Sequence, residues 1–190
     1  MKQLLTFLLL SAAVLLSGCT TFLDLTKNDP IKVNPQERTL GAWVDDRSIR
    51  TTVYHNIQKS HPLLDKSHVA VHSFNGVVLL TGEVPNAEVR TIASEQAQAV
   101  PNVRIAHNEL AIGKNSSFWS RLSDSFIHKR VKLKHYREPL IDNINIDVVI
   151  ENNVAYLMGI VTREQGEKAA QITSLTRGVT QVVKVFEYVE

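Results

Sequence analysis

The chain has 190 residues, 44% of them hydrophobic and 21% charged, with a formal net charge of +2. This is the composition of an ordinary globular protein, long enough for one medium domain or two small ones, and it excludes both a disordered chain and a polytopic membrane protein. Because the total is nearly neutral, affinity for an anionic partner has to come from local clustering of charge.

Met1-Lys2 supplies a short positive start, Leu4 to Leu16 an apolar run, and Leu16-Ser17-Gly18-Cys19 ends it with small residues and a thiol. This is the order of a signal peptide over residues 1–18. Its apolar run of about 13 residues falls short of the ~20 a spanning helix needs. A simple secretory signal cut near Gly18 is the other reading. Cys19 is the one cysteine in the sequence, so it is a free thiol, an intermolecular bridge or a chemically used group. Leu-Ser-Gly-Cys resembles the lipobox of bacterial lipoproteins. That resemblance implies diacylation of the Cys19 sulfur, cleavage before it and acylation of its amine. Thr20 follows where aspartate would mark inner-membrane retention, which implies the outer membrane of a Gram-negative cell, facing the periplasm. Each buried methylene contributes about 0.8 kcal/mol, so three chains make a lasting anchor where one is marginal.

Residues 19–44 read as a lipidated N-terminus and tether, because Asn28-Asp29-Pro30 and Asn34-Pro35 are turn signals with no apolar period around them. Folded material is expected from residue 45, where Asp45 or Asp46 caps a helix carrying Ile49, Val53 and Ile57 on one stripe. A strand follows in which Val69 and Val71 face one way and His68, Ala70 and His72 the other, toward an outward surface. Asn75-Gly76 is the strongest short hairpin signal available. The return strand runs from Val77 to Val84, with Gly82 at a close approach of a neighbouring backbone or helix. Pro85-Asn86 opens a second helix with Val89, Ile92, Ala93, Ala97 and Val100 on one side, Pro101-Asn102 stops it, and a last strand spans Val103 to Ile112.

The order then repeats. Gly113 to Ser117 begin a linker assigned to 113–119; a helix carries Ile127 and Val131; Ile144 to Ile150 form a strand, and Asn152-Asn153 makes the turn, since asparagine also tolerates positive φ. Val154 to Val161 return with Gly159 in the place of Gly82. Thr162 and Gln165 form a capping box for the fourth helix, and Val179 to Val189 close the unit. The expected fold is α+β: two tandem α-β-β-α-β sandwiches at 45–112 and 120–190, each a three-stranded mixed sheet packed on two helices. The return strand and the last strand should pair in parallel across a right-handed crossover. Units of about 65 to 70 residues are near the lower limit for an independent core, so the two should lean on one another.

Gly76-Val77-Val78-Leu79-Leu80-Thr81-Gly82-Glu83-Val84, with the helix and strand after it, resembles the BON domain. Asn153-Val154-Ala155-Tyr156-Leu157-Met158-Gly159-Ile160-Val161 resembles it again, departing at the first glycine. With the lipobox, the resemblance covers nearly the whole chain. It implies a non-enzymatic periplasmic lipoprotein that binds phospholipid and helps maintain outer-membrane integrity.

Candidate chemistry is thin. The sequence holds no Gly-x-Ser-x-Gly elbow, phosphate-cradling glycine loop or His-Glu-x-x-His. His68 and His72 share a strand face but lie about 13 Å apart along it, too far to share an ion, so no metal site or cofactor is expected. The distinctive stretch is Lys114 to Arg137, where seven cations meet the single Asp124 and Phe118, Trp119 and Phe126 are interleaved. Aligning Ile127 and Val131 on Ile49 and Val53 puts Phe126 opposite Ser48, and Lys129 and Arg130 opposite Thr51 and Thr52. The second helix therefore carries charge and a ring where the first is merely polar. Trp119, Phe126, Lys129, Arg130, Lys132 and Lys134 are the candidate phospholipid contacts, because cations attract anionic headgroups while rings enter the boundary. Anionic phospholipids of the outer membrane's inner leaflet are the expected partners, with no nucleic acid. The competing expectation is an adaptor that docks envelope-assembly or peptidoglycan-remodelling proteins.

Overall fold

A computed structural model describes residues 38–141 and 145–190. Cys19, the signal peptide, most of the tether and Ile144 lie outside the described residues. Among the described residues the order is α1 (Leu40–Ser60), α2 (Pro62–Asp65), β1 (His68–Phe74), β2 (Val77–Val84), α3 (Ala87–Gln98), β3 (Ile105–Asn108), β4 (Ala111–Ile112), α4 (Phe118–Tyr136), β5 (Ile146–Glu151), β6 (Val154–Val161), α5 (Arg163–Ser174) and β7 (Gln181–Tyr188).

Each repeat has the expected topology. β1 and β2 are antiparallel, and β2 pairs in parallel with β3 and β4; β5 and β6 are antiparallel, and β6 pairs in parallel with β7. Both hairpin tips have two successive residues at positive φ, 51° and 74° at Asn75-Gly76 and 47° and 68° at Asn152-Asn153. That is the mirror-image turn whose twist suits a two-residue hairpin. Asn86 caps α3 through the Val89 N–H, and Thr162 with Gln165 forms the capping box of α5.

Several boundaries differ from the sequence reading. α1 starts at Leu40, capped by the Thr39 hydroxyl on the Ala42 N–H. Asp46 is thus an interior helical residue whose side chain has another task. α4 starts at Phe118 under Ser117, so Trp119 sits in its first turn and not in a linker. The strand expected over Val103 to Ile112 is broken: Leu110 turns into the core, and the Asn108 side chain accepts from the Leu110 N–H and donates to the Arg90 carbonyl at the break. Gly82 is tight against a strand and not a helix, since a Cβ there would lie 2.0 Å from the His68 carbonyl oxygen.

One face of each sheet covers its own helices. Val78, Leu80 and Val84 pack with Ile49, Val53 and Ile57 of α1 and with Val89, Ala93 and Ala97 of α3. In the second repeat Ile146, Val148, Leu157 and Val161 pack with Ile127, Val131 and Ala169. The opposite faces do not meet solvent. Phe74, Val77 and Leu79 of the first sheet pack on Val149, Tyr156, Met158, Ile160 and Val185 of the second. The layers therefore run helix, sheet, sheet, helix. The surface carrying His68 and His72, expected to face outward, is the seam between the repeats. β2 is consequently buried along its whole length, which its near-continuous apolar run already requires.

Candidate functional site

Both outer layers are helical, and α4 forms much of the second. Its inner face is fixed by Asp124, Ile127, Val131 and His135, all buried. These residues recur at three and four, the period of one helical stripe. Opposite them, Trp119, Leu122, Phe126, Leu133 and Tyr136 are exposed, and their spacings of three, four, seven and three place them on a second apolar stripe. Trp119 is 75% and Phe126 52% exposed, although removal of apolar surface from water favours burying both. A helix with two apolar faces has only one covered by its own protein. α1 also exposes apolar residues, but Leu40, Trp43 and Val44 cluster at its beginning and Tyr54 stands alone further along, whereas the α4 stripe runs the length of the helix.

The cations flank this ridge. Lys129 Nζ lies 5.9 Å from the centre of the Phe126 ring, within reach of a cation–π attraction. An Arg130 guanidinium N–H donates to the Arg177 carbonyl, 3.2 Å, and Lys134 Nζ donates to the Leu175 carbonyl, 3.0 Å. Both therefore lean toward the loop after α5, where Leu175 is itself exposed. Lys132 goes the other way: it is half-buried and its Nζ donates to the Ile146 carbonyl, 3.3 Å. The structure thus brings Trp119, Phe126, Lys129, Arg130 and Lys134 to one outward surface and turns Lys132 aside. Leu122, Leu133, Tyr136 and Leu175 join that surface. The first three were available to the sequence as a second periodic stripe, while Leu175 is contributed by the tertiary fold.

The hairpin and packing residues hold the two layers behind the ridge. Asn152 donates its backbone N–H to Asp124 at 2.9 Å and its side-chain amide to Glu83 of the other repeat. Asn75 correspondingly donates to Glu187, which also pairs with Arg104. These bonds to the Arg104 guanidinium hold the Glu187 carboxyl below its ordinary value. The linker is docked, because the Ser116 N–H donates to Glu83 at 3.0 Å and Asn115 bonds to both His68 and Lys66. Burial tends to raise the Glu83 carboxyl, but the Ser116 N–H, the Asn152 amide and His68 outweigh it and hold it low. Burial pushes Tyr156, deep in the seam, up to about 12.

A helix-backed hairpin and crossover strand written twice, with the sheets back to back, defines a tandem-repeat module. A family model for the BON domain matches residues 45–114 and 123–190, and the chain belongs to that family. It is a dual BON-domain lipoprotein of the outer membrane, facing the periplasm. The chain is 33% identical over 183 residues to the outer membrane lipoprotein DolP of Haemophilus influenzae, covering 96% of this chain and 95% of that one. It is 29% identical over 153 residues to a 21 kDa hemolysin of Actinobacillus pleuropneumoniae, covering 80% and 79%. Among the described residues no helix is long and apolar enough to cross a membrane.

Proposed function

We propose that the outward ridge of α4 docks the second repeat on anionic phospholipid at the inner leaflet of the outer membrane, and that this contact supports envelope integrity. The observation that carries the reading is the line Trp119, Leu122, Phe126, Leu133 and Tyr136, exposed along one helix with Lys129, Arg130 and Lys134 beside it. Rings and leucines enter the headgroup boundary, and each cation near an anionic surface adds about 1 kcal/mol. The role is non-enzymatic, since the ridge offers contacts and no reacting group. Acylated Cys19 supplies the permanent anchor, and tethering raises the local lipid concentration so far that a weak ridge contact suffices to orient the repeat.

The test is co-sedimentation of fragment 38–190, which lacks the lipobox, with vesicles of phosphatidylglycerol and phosphatidylethanolamine and with vesicles of phosphatidylcholine alone. Binding should require the anionic lipid and be lost in Lys129→Glu/Arg130→Glu, while Lys132→Glu, altered off the ridge, has the smaller effect on binding. Binding that survives the double reversal would place the contact on another face. Absence of binding to either vesicle would favour the adaptor reading.

A further inference from the structure

At the seam between the repeats three potential ligands converge from different strands. His68 Nδ1, on edge strand β1, lies 3.3 Å from Glu83 Oε2 on β2 and 3.8 Å from Glu151 Oε1 on β5. The three ligand atoms all fall within 4.8 Å of one another. His68 and Glu83 are cross-strand partners in the first repeat; Glu151 is brought from the second repeat only by the packing of sheet on sheet. Spacing along the sequence pairs His68 with His72, whereas its neighbours in space are Glu83 across the hairpin and Glu151 across the interface.

Glu151, unlike Glu83, is short of positive charge and of hydrogen bonds. The Glu83 and Glu151 side chains are 5% and 12% exposed, and buried Asp124 adds its charge to that of Glu83 against Glu151. One imidazole can balance one carboxylate at most. Glu151 Oε1 and the hydroxyl of fully buried Thr81 are sealed from solvent with no hydrogen bond of ordinary geometry, although Thr81 is near enough to Glu151 to favour its charged form. Orphaned polar atoms beside an uncompensated charge are costly in a dry seam, and a cation held there would satisfy them.

We propose that His68, Glu83 and Glu151 bind a divalent transition metal of the zinc class, which bridges the two BON domains. Ligands at about 2.0–2.1 Å in a tetrahedral arrangement stand about 3.4 Å apart, so the His68–Glu83 pair, 3.3 Å apart, is already in place, while Glu151, 3.8 Å from His68 and within 4.8 Å of both partners, has to close by a side-chain adjustment. An imidazole with two carboxylates suits zinc, manganese or iron(II), whereas calcium and magnesium take oxygen ligands. Glu83 is oriented by the Ser116 N–H and the Asn152 amide, the outer support that metal-binding carboxylates use. A cleft of about 510 Å³ between β1, β5 and α4 is lined by His68, Glu151, Asp124, Arg121 and Lys129 among others, so it opens on two of the three ligands and has room for water as the fourth.

The untagged full-length chain in detergent, stripped with EDTA, is titrated with zinc chloride by calorimetry and with cobalt chloride by visible absorption. One zinc per chain is expected, with a cobalt d–d spectrum that zinc abolishes. Glu151→Gln and His68→Gln should each weaken zinc at least about tenfold, and His72→Gln on the same strand should leave it unchanged. Glu151→Gln removes a buried charge, so without metal its urea midpoint should match or exceed that of the parent chain, whereas added zinc should raise the midpoint of the parent alone. No stoichiometric zinc in the parent chain, or zinc affinity in Glu151→Gln and His68→Gln equal to that of the parent, overturns the proposal.

Discussion

Asp46 and Asp124 do the same work in the two repeats. Each lies three residues before the first core isoleucine of its helix, is buried, and accepts both backbone N–H groups of its hairpin tip. The distances are 2.8 and 2.9 Å from Asn75 and Gly76 to Asp46, and 2.9 and 3.0 Å from Asn152 and Asn153 to Asp124. Asp46 also receives the Ser73 hydroxyl and Arg38. The helix therefore pins the turn through a carboxylate, and at the second tip that turn in turn positions Asn152 on Glu83.

Hydrogen bonds to a charged acceptor contribute about 1.5–3 kcal/mol each, and a donor left buried without one costs as much. Asp124→Ala should lower the unfolding free energy by about 3 kcal/mol, and Asp124→Asn, which keeps one acceptor oxygen, by roughly half of that. Urea titration followed by far-UV circular dichroism measures both. An alanine variant within error of the parent chain would show that the clamp is incidental.

Gly82 supplies a steric test of the same hairpin. Its φ is +114° and a Cβ would lie 2.0 Å from the His68 carbonyl oxygen, whereas a Cβ on Gly113 meets nothing within 4 Å. Gly82→Ala should cost at least about 3 kcal/mol and Gly113→Ala within about 0.5 kcal/mol of zero. Equal urea midpoints for the two variants would contradict the close approach.

The architecture of each repeat was legible because local signals agreed: period-four apolar residues such as Ile49, Val53 and Ile57, an Asn-Gly turn, and a glycine in each return strand. The repeat itself exposed the ring and charges of α4, since Phe126 could be compared with Ser48. What one-dimensional reading missed lay in contacts between repeats. Alternation places His68, Ala70 and His72 on a face but does not say what covers it, and polar residues there suggest water. They line a cleft opposite Asp147, Val149 and Glu151 of β5, more than 70 positions away. Lys132 was misplaced for a related reason: helical position fixes where a lysine starts, while the carbonyl it finds, here that of Ile146, depends on the neighbouring strand.

The seam should owe its strength to apolar packing and little to its ion pair. Leu79 is fully buried between the sheets, while Arg104, paired with Glu187, is 48% exposed. Leu79→Ala should cost about 2–5 kcal/mol, and Arg104→Ala less than about 1 kcal/mol because solvent screens the pair. The reverse ranking in urea titrations would mean that electrostatics hold the repeats together.

Lipid docking by α4 combines two forces that respond differently to salt. Screening shortens the reach of Lys129, Arg130 and Lys134 from about 10 Å at 0.1 M to about 3 Å at 1 M ionic strength, while burial of Trp119 and Phe126 is unaffected. Affinity for anionic vesicles should fall at least about tenfold over that range without vanishing. In a Trp43→Phe background the emission of Trp119 should shift to the blue on binding, and Leu133→Asp should suppress the shift. Salt-independent binding, or an unchanged Trp119 spectrum on bound vesicles, would refute insertion of the ridge.

His135 gives the second repeat a pH dependence at a helical position that is apolar in the first. It is fully buried in α4 with Nε2 2.8 Å from the Thr173 hydroxyl and 3.3 Å from the Ala169 carbonyl, while Nδ1 has no partner. The corresponding helical position in the first repeat is Ile57, and Ala97 occupies the place of Thr173. Burial pushes the imidazole down to about 4 from its ordinary 6.5, so the folded chain holds it neutral. Below pH 6.5 the unfolded chain takes up a proton that the folded chain refuses until about pH 4. Stability is therefore complete above 6.5 and drains away as pH falls across that window, by about 2.5 kcal/mol between pH 8 and 4.5. His135→Ile with Thr173→Ala, which restores the apolar pair of the first repeat and leaves no hydroxyl unpaired, should remove that part of the loss. Because Glu83, Glu151 and Glu187 titrate in both proteins, the difference between their stability curves isolates the histidine, and parallel curves from pH 8 to 4.5 would show that His135 is not held neutral.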